Sequence, residues 1–219
     1  KFAKKIVMSD TLDFLVDTVT DPALKSIAQK VKNNQRITDE ECLLLFEKGS
    51  LAFVGVLANH IRERMHGNKT YFNRNFHIEP TNVCVFSCKF CSYSRLYAHK
   101  EEGWELGSED MLNIVKKYDD QPVTEVHIVG GVLPQYDVKF YVNLFKAIKA
   151  HRPELHIKAL TPVEYHYMFK KDKMSYADGM KLMQDAGLDS MPGGGAEIFA
   201  PEIRDQIAGG KCSGDQWLE

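Results

Sequence analysis

The 219-residue sequence predicts an α/β fold, with a helical N-terminal segment over residues 1–74 and a parallel strand–helix array over 75–219. Three observations carry this. The first seventy or so residues show helical periodicity with caps and no strand signal. After residue 74, four short apolar or β-branched runs alternate with helical patterns across short connections. These four units share 145 residues, about 36 each, whereas a closed eightfold barrel needs ~250. The array is therefore an open sheet or the first four units of a barrel whose remainder is absent from this chain.

Asp10 or Thr11 opens a first helix carrying Leu12, Leu15, Val16 and Val19. Asp21-Pro22 joins an N-cap to a first-turn proline and opens a second helix through Val31. Thr38-Asp39-Glu40-Glu41 reads as a capping box before an apolar run to Phe46, with Gly49 as its C-terminal cap. A longer helix covers about 51–66, places Phe53, Val54, Leu57 and Ile61 on one face, and stops at Gly67. The expected strands are Phe76-His77-Ile78, Glu125-Val126-His127-Ile128-Val129, Leu155-His156-Ile157-Lys158-Ala159-Leu160 and Leu188-Asp189-Ser190-Met191. Helical patterns lie between them over 108–118, 137–150 and, in two pieces, 163–186. Ser108, Asp137 and Ser175 are their N-caps, and Gly187 marks the turn into the last strand. Strands joined through helices imply right-handed crossovers and parallel pairing.

Composition limits the partners. With 28 Lys+Arg against 30 Asp+Glu, the net charge of −2 gives no polyanion-coating surface, so nucleic acid is not expected. No apolar run approaches the ~18–20 residues of a membrane span, and the basic start over 1–8 lacks the apolar core of a signal peptide. The expectation is a soluble, cytoplasmic protein acting on small molecules. The chain begins at Lys1 without an initiator Met and ends at Glu219 without a tail-like composition, and is read as the front part of a longer protein.

Of five cysteines, Cys84, Cys88 and Cys91 fall in the loop directly after the first strand, in C-x3-C-x2-C spacing. That loop lies at the carboxyl end of its strand, where α/β folds build their sites. Three thiolates can hold three corners of a cubane cluster and leave one iron open to a small molecule. Ferredoxin-type clusters and structural zinc sites normally take four ligands. The competing reading is a non-catalytic iron–sulfur or zinc module, the zinc site completed by His77 or His99. Cys42, in the run Cys42-Leu43-Leu44-Leu45-Phe46, reads as a small hydrophobe, and Cys212, in a Gly/Ser-rich stretch, as a free surface thiol.

The cysteine spacing, with Phe90 just before the last cysteine and Gly130-Gly131 ending the second strand, resembles the radical S-adenosylmethionine superfamily. The fold this implies is a partial (β/α) TIM-like barrel. The cofactors implied are a [4Fe–4S] cluster on Cys84, Cys88 and Cys91 and S-adenosylmethionine chelating the open iron, consumed as a cosubstrate. Phe90 would pack near the adenine, and Gly130-Gly131 would bring backbone to the methionine amino group. Around these, Asn75–Cys84, the run 156–164 and Gly187–Phe199 with its triple glycine are similar to the subgroup of futalosine-pathway menaquinone enzymes and deazaflavin synthase subunits. The triple glycine favours the menaquinone branch. Within it the chain resembles the aminofutalosine synthase family, with the dehypoxanthine futalosine cyclases as the alternative.

The synthase resemblance implies addition of a 5′-deoxyadenosyl radical to 3-[(1-carboxyvinyl)oxy]benzoate with loss of CO2, giving 6-amino-6-deoxyfutalosine. It also implies a one-electron donor of flavodoxin or ferredoxin type. Glu164 and Glu197 follow the third and fourth strands and are candidates for the ribose or adenine, or for a substrate group; the competing role is a capping or solvated carboxylate. His77, His127 and His156 lie inside strands, where a barrel interior can use or simply pack them. Arg95 and Arg204 are candidates for pairing the two carboxylates of the aryl enol ether, since guanidinium forks match that geometry.

Overall fold

A computed structural model describes residues 8–219, with side chains from Thr11 onward. Residues 1–7 lie outside the described part, and with them the basic start. The chain divides into two units, one ending at Phe72 and the other running from Asn73 to Glu219.

The first unit holds four helices: α1 (Met8–Thr18), α2 (Pro22–Lys32), α3 (Asp39–Lys48) and α4 (Leu51–His66). α1 is already helical at Met8, ahead of the expected Asp10 or Thr11, and the starts of α2, α3 and α4 are each made by a side chain taking orphan amides. Asp21 accepts from the Ala23 and Leu24 N–H groups at 2.8 and 3.2 Å. Thr38 and Glu41 cap α3 reciprocally, and Ser50 accepts from Phe53 N–H at 3.2 Å. The core is Leu12, Val16, Leu24, Ile27, Ala28, Val31, Phe53 and Leu57. α3 turns much of its apolar run outward: Phe46 is 86% exposed, and Cys42 is exposed too. Cys42 is thus not a packed hydrophobe. α3 adds no fully buried side chain to the core.

In the second unit, β1 (Asn75–Ile78) leads into two-residue strands β2 (Val83–Cys84) and β3 (Arg95–Leu96), which pair with each other. Then come α5 (Ser108–Lys116), β4 (Glu125–Ile128), α6 (Val138–His151), β5 (His156–Ala159), α7 (Pro162–Lys171), α8 (Tyr176–Asp185), α9 (Pro201–Ala208) and α10 (Gly214–Leu218). The main sheet is parallel in the order β1-β4-β5. Each new strand lies beside the last, so right-handed crossovers put the helices on one face, as in a barrel wound in one direction. On that face Phe76, Ile78, Val126, Ile128, Ile157 and Ala159 pack against Met111, Leu144, Phe145, Ile148, Phe169 and Met183. Each such fully buried side chain contributes about 1.5–3 kcal/mol. The other face carries Asn75, His77, Glu125, His127, His156 and Lys158.

The expected fourth strand shrinks to one parallel bridge, Lys158 to Ser190. The Asp189 carboxylate takes the Ile157 N–H at 2.8 Å and the Lys149 ammonium at 2.7 Å, replacing a ladder partner. Pro192 then offers no N–H, and three glycines follow. Asp137 and Ser175 cap as expected, whereas at α5 the cap moves one residue back to Gly107, whose N–H is taken by Asp110 at 2.9 Å.

Candidate functional site

The loop after β1 is held before any ligand is considered. Thr81 and Asn82 are buried; Asn82 Oδ1 accepts from Trp104 N–H at 2.9 Å, and Thr81 Oγ1 accepts from Val83 N–H at 2.9 Å. Cys84 sits on β2, and its Sγ accepts from the Phe86 and Val132 N–H groups, both at 3.4 Å. Burial pushes the Cys84 thiol up, and these two amides oppose that shift.

Gly130 and Gly131 lock this loop to the end of β4. The Gly131 N–H donates to Thr81 O at 2.7 Å, and Val85 N–H to Val132 O at 3.0 Å. A Cβ on Gly131 would lie 2.1 Å from Val83 O, and one on Gly130 would lie 2.7 Å from Thr81 O. The glycines are therefore demanded by the approach of one loop backbone to another, a reason distinct from close approach to a ligand.

The second wall follows β5. Glu164 closes a capping box with Thr161, whose N–H it accepts at 2.6 Å, and its other oxygen accepts from Gly130 N–H at 3.4 Å. It is buried, and that burial pushes its carboxyl up to about 7. The third wall is Gly195, Glu197 and Lys211. Glu197 pairs with Lys211 at 3.1 Å, and the Lys211 ammonium stands 5.3 Å from the centre of the Phe90 ring.

Cys84, Cys88, Cys91, Phe90, Gly130, Gly131, Glu164 and Glu197, all singled out from the sequence, line one cavity of about 180 Å³. That is below the ~300–1,000 Å³ of ordinary ligand pockets. Its size suits a compact inorganic group, and a larger ligand would have to extend beyond it. Lys211, Tyr93 and Val163 also line it. The sequence carries no signal for Lys211, which lies 120 positions beyond Cys91. A larger cavity of about 480 Å³ lies in the helical unit, beside Arg36, Asp39 and Arg64, far in sequence from any of these groups.

Other expectations are corrected. Cys212 is 3% exposed, packed with Val132 and Val163 against Cys84, so it is a core thiol. Arg204 is 4% exposed and donates to the carbonyls of Gly195 (3.1 Å), Ala196, Ile198 (3.2 Å) and Cys212 (2.9 Å). It clamps the third wall and has no free fork for a substrate carboxylate. Arg95 is exposed and donates to the carbonyls of Ser92 and Ser94, and it is not among the cavity residues. His156 bonds Ser190 at 2.7 Å.

The donor set fits an iron–sulfur cluster better than a single ion. Tetrahedral zinc at ~2.3 Å from each sulfur would bring thiolates to within roughly 4 Å of one another. Among the described residues, the one group of three ligand atoms within 4.8 Å is His99, Glu101 and Glu102 on the surface. The three thiols stand wider than that, and neither His77 nor His99 completes a compact set with them. The amides aimed at Cys84 Sγ suit a ligating thiolate.

The sequence profile of the Radical SAM superfamily matches residues 78–219. The chain belongs to the radical SAM superfamily. Members of this superfamily use a [4Fe–4S] cluster and S-adenosylmethionine. The chain is 37% identical over 92% of its length to the aminodeoxyfutalosine synthase of Thermus thermophilus, covering 54% of that protein. It is 30% identical over 90% of its length to the cyclic dehypoxanthine futalosine synthase of Halalkalibacterium halodurans, covering 53% of it. Among solved structures, a [FeFe]-hydrogenase maturase superposes with a TM-score of 0.67 at 15% identity, over 95% of this chain and 44% of that one, which shows the shared fold. The chain spans about half the length of the curated relatives it matches. No helix among the described residues is long and apolar enough to cross a membrane.

Proposed function

We propose that this chain carries the cluster-binding part of an aminofutalosine synthase, joining the adenosyl group of S-adenosylmethionine to 3-[(1-carboxyvinyl)oxy]benzoate with loss of CO2 to give 6-amino-6-deoxyfutalosine. The observation that carries the reading is the gathering of the three cysteines, Phe90, Gly130, Gly131, Glu164 and Glu197 on one cavity, in a chain 37% identical to an aminodeoxyfutalosine synthase.

Cys84, Cys88 and Cys91 would hold the cluster. Bound there with S-adenosylmethionine, and supplied with one electron by a flavodoxin- or ferredoxin-like donor, it provides the reductive cleavage that generates a 5′-deoxyadenosyl radical. The protein's part is placement and shielding. Gly130-Gly131 fixes the Cys84 loop against β4. Phe90, Glu197 and Lys211 would form the rim for the adenosine, the Lys211 ammonium standing between the ring and the carboxylate. Glu164, raised to about 7, holds the ends of β4 and β5 together and places a carboxyl able to keep its proton inside the cavity. Val132, Val163 and Cys212 keep water from the inner side of Cys84.

Anaerobic incubation of the reconstituted protein with S-adenosylmethionine, dithionite and the enol ether tests this. An adenine-containing adduct of the benzoate is expected. Formation of 5′-deoxyadenosine with no adduct would instead favour the cyclase reading, and iron or zinc uptake with no cleavage would leave a non-catalytic module.

A further inference from the structure

The sheet face opposite the helices carries a row of basic groups that the cavity does not use. In register across three strands, His77 on β1 pairs with His127 on β4, which pairs with Lys158 on β5. The two imidazole centres are 4.9 Å apart. His127 Nε2 is buried and has no hydrogen-bond partner. Burial, with His77 and Lys158 close by, holds the His127 pKa below its ordinary value. Among the described residues, the side chains of His77 and Lys158 make no hydrogen bond or ion pair.

The neighbouring polar groups on this face are already satisfied. Glu125 accepts from Asn73 and Asn75 at 3.0 and 3.2 Å, and His156 is bonded to Ser190. Glu125 adjoins the row on this face and its charge partly opposes the lowering of the His127 pKa, while its carboxylate is bonded to the two asparagines. The row therefore offers an ammonium and two imidazoles side by side, and an unpartnered buried ring nitrogen is a costly group that a suitable ligand would satisfy.

Position supplies the rest. Val129 lies two residues beyond His127 on the same face and lines the cavity. At roughly 3.3 Å per residue, the row lies about 6–7 Å below the cavity floor. A small aromatic acid seated on the row would present its other end to the site where the radical forms.

We propose that His77, His127 and Lys158 form a carboxylate-binding row that seats a carboxylate of the substrate, taking the role the sequence suggested for Arg95 and Arg204. The identity of that substrate rests on the function proposed above; the preference for a carboxylate rests on the row itself. Lys158 supplies the charge, and His127, in the tautomer protonated at its unpartnered Nε2, would supply a donor.

The test uses the cluster-loaded protein, benzoate as the probe in anaerobic equilibrium dialysis, and the enol ether in turnover. Iron per chain reads folding independently. Lys158→Met and His127→Phe are each expected to raise the Kd for benzoate tenfold or more at unchanged iron content. Lys158→Arg should return it to within about threefold. Benzoate binding unaltered in both Met and Phe variants would overturn the row. An undiminished kcat/KM for the enol ether in Lys158→Met would do so too, leaving the proposed reaction standing. Benzoate binding that behaves as expected, with no adduct from the wild type, supports the row and removes the proposed reaction.

Discussion

Replacing Gly131 by alanine tests whether the glycine pair exists to join two loops. The added Cβ would lie 2.1 Å from Val83 O and 2.7 Å from Val83 C, both backbone atoms that cannot rotate away. The chain can carry the overlap or swing the cysteine loop off β4. The second course forfeits the bonds from Gly131 to Thr81, Val85 to Val132, and Val132 to Cys84 Sγ. Overpacking costs about 1–3 kcal/mol, and three hydrogen bonds at about 0.5–1.5 kcal/mol each sum to about 1.5–4.5, so the cheaper course costs about 1–3 kcal/mol. With a urea slope of about 1–3 kcal/mol per molar, the midpoint should fall by roughly 1 M. Gly193→Ala is the matched control: nothing lies within 4 Å of its added Cβ, and its stability should be unchanged or raised by about 0.4–1 kcal/mol. Iron per chain after reconstitution is the second readout, expected to fall for Gly131→Ala alone. Equal urea midpoints and equal iron for the two variants would refute the reasoning.

Glu164, raised by burial from its ordinary value to about 7, binds its proton more tightly folded than unfolded. Stability is therefore full below about pH 4.5 and falls as pH rises toward 7, by roughly 3 kcal/mol in all. Glu164→Gln should flatten that slope in urea titrations at pH 5, 6 and 7; an unchanged slope removes the burial argument. Arg204→Met leaves four backbone carbonyls without their donors and should cost about 3–5 kcal/mol, with faster limited proteolysis over 193–213. Arg204→Lys should rescue little, since an ammonium cannot fork to all four; full rescue would mean that charge alone matters. Cys88→Ala should abolish the roughly four irons per chain of a [4Fe–4S] cluster, while Cys212→Ala keeps them, as read by iron assay and loss of visible absorbance on reduction. Iron lost from both variants would make Cys212 a ligand.

The readable parts of this chain are those set by local chemistry. Asp21-Pro22, Thr38 with Glu41, Asp137 and Ser175 announce their helices because each cap is satisfied within three or four residues. The cysteine spacing and the glycine pair likewise foretold one cavity. What local pattern missed depends on partners distant in sequence. Leu188-Asp189-Ser190-Met191 has a strand's composition and keeps a few backbone bonds to β5, yet the Asp189 side chain takes the Ile157 N–H and the pairing stops at one bridge. Cys212 looked like a surface thiol because its stretch is glycine- and serine-rich, and Arg204 like a fork for a substrate carboxylate; Val132 and Val163 bury the first, and the carbonyls of 195–198 take up the second. Lys211 enters the site only because that same clamp folds the third wall back over Phe90.

That third wall also sets an order of events in biosynthesis. Cys91 and Lys211 are 120 residues apart, and at about 5–20 residues per second the ribosome needs roughly 6–24 s to pass from one to the other. For part of that interval the cysteine loop is already outside the ribosome while the third wall is unfinished. The nascent chain thus passes through a window in which its cysteines are open to dioxygen and to stray metal ions.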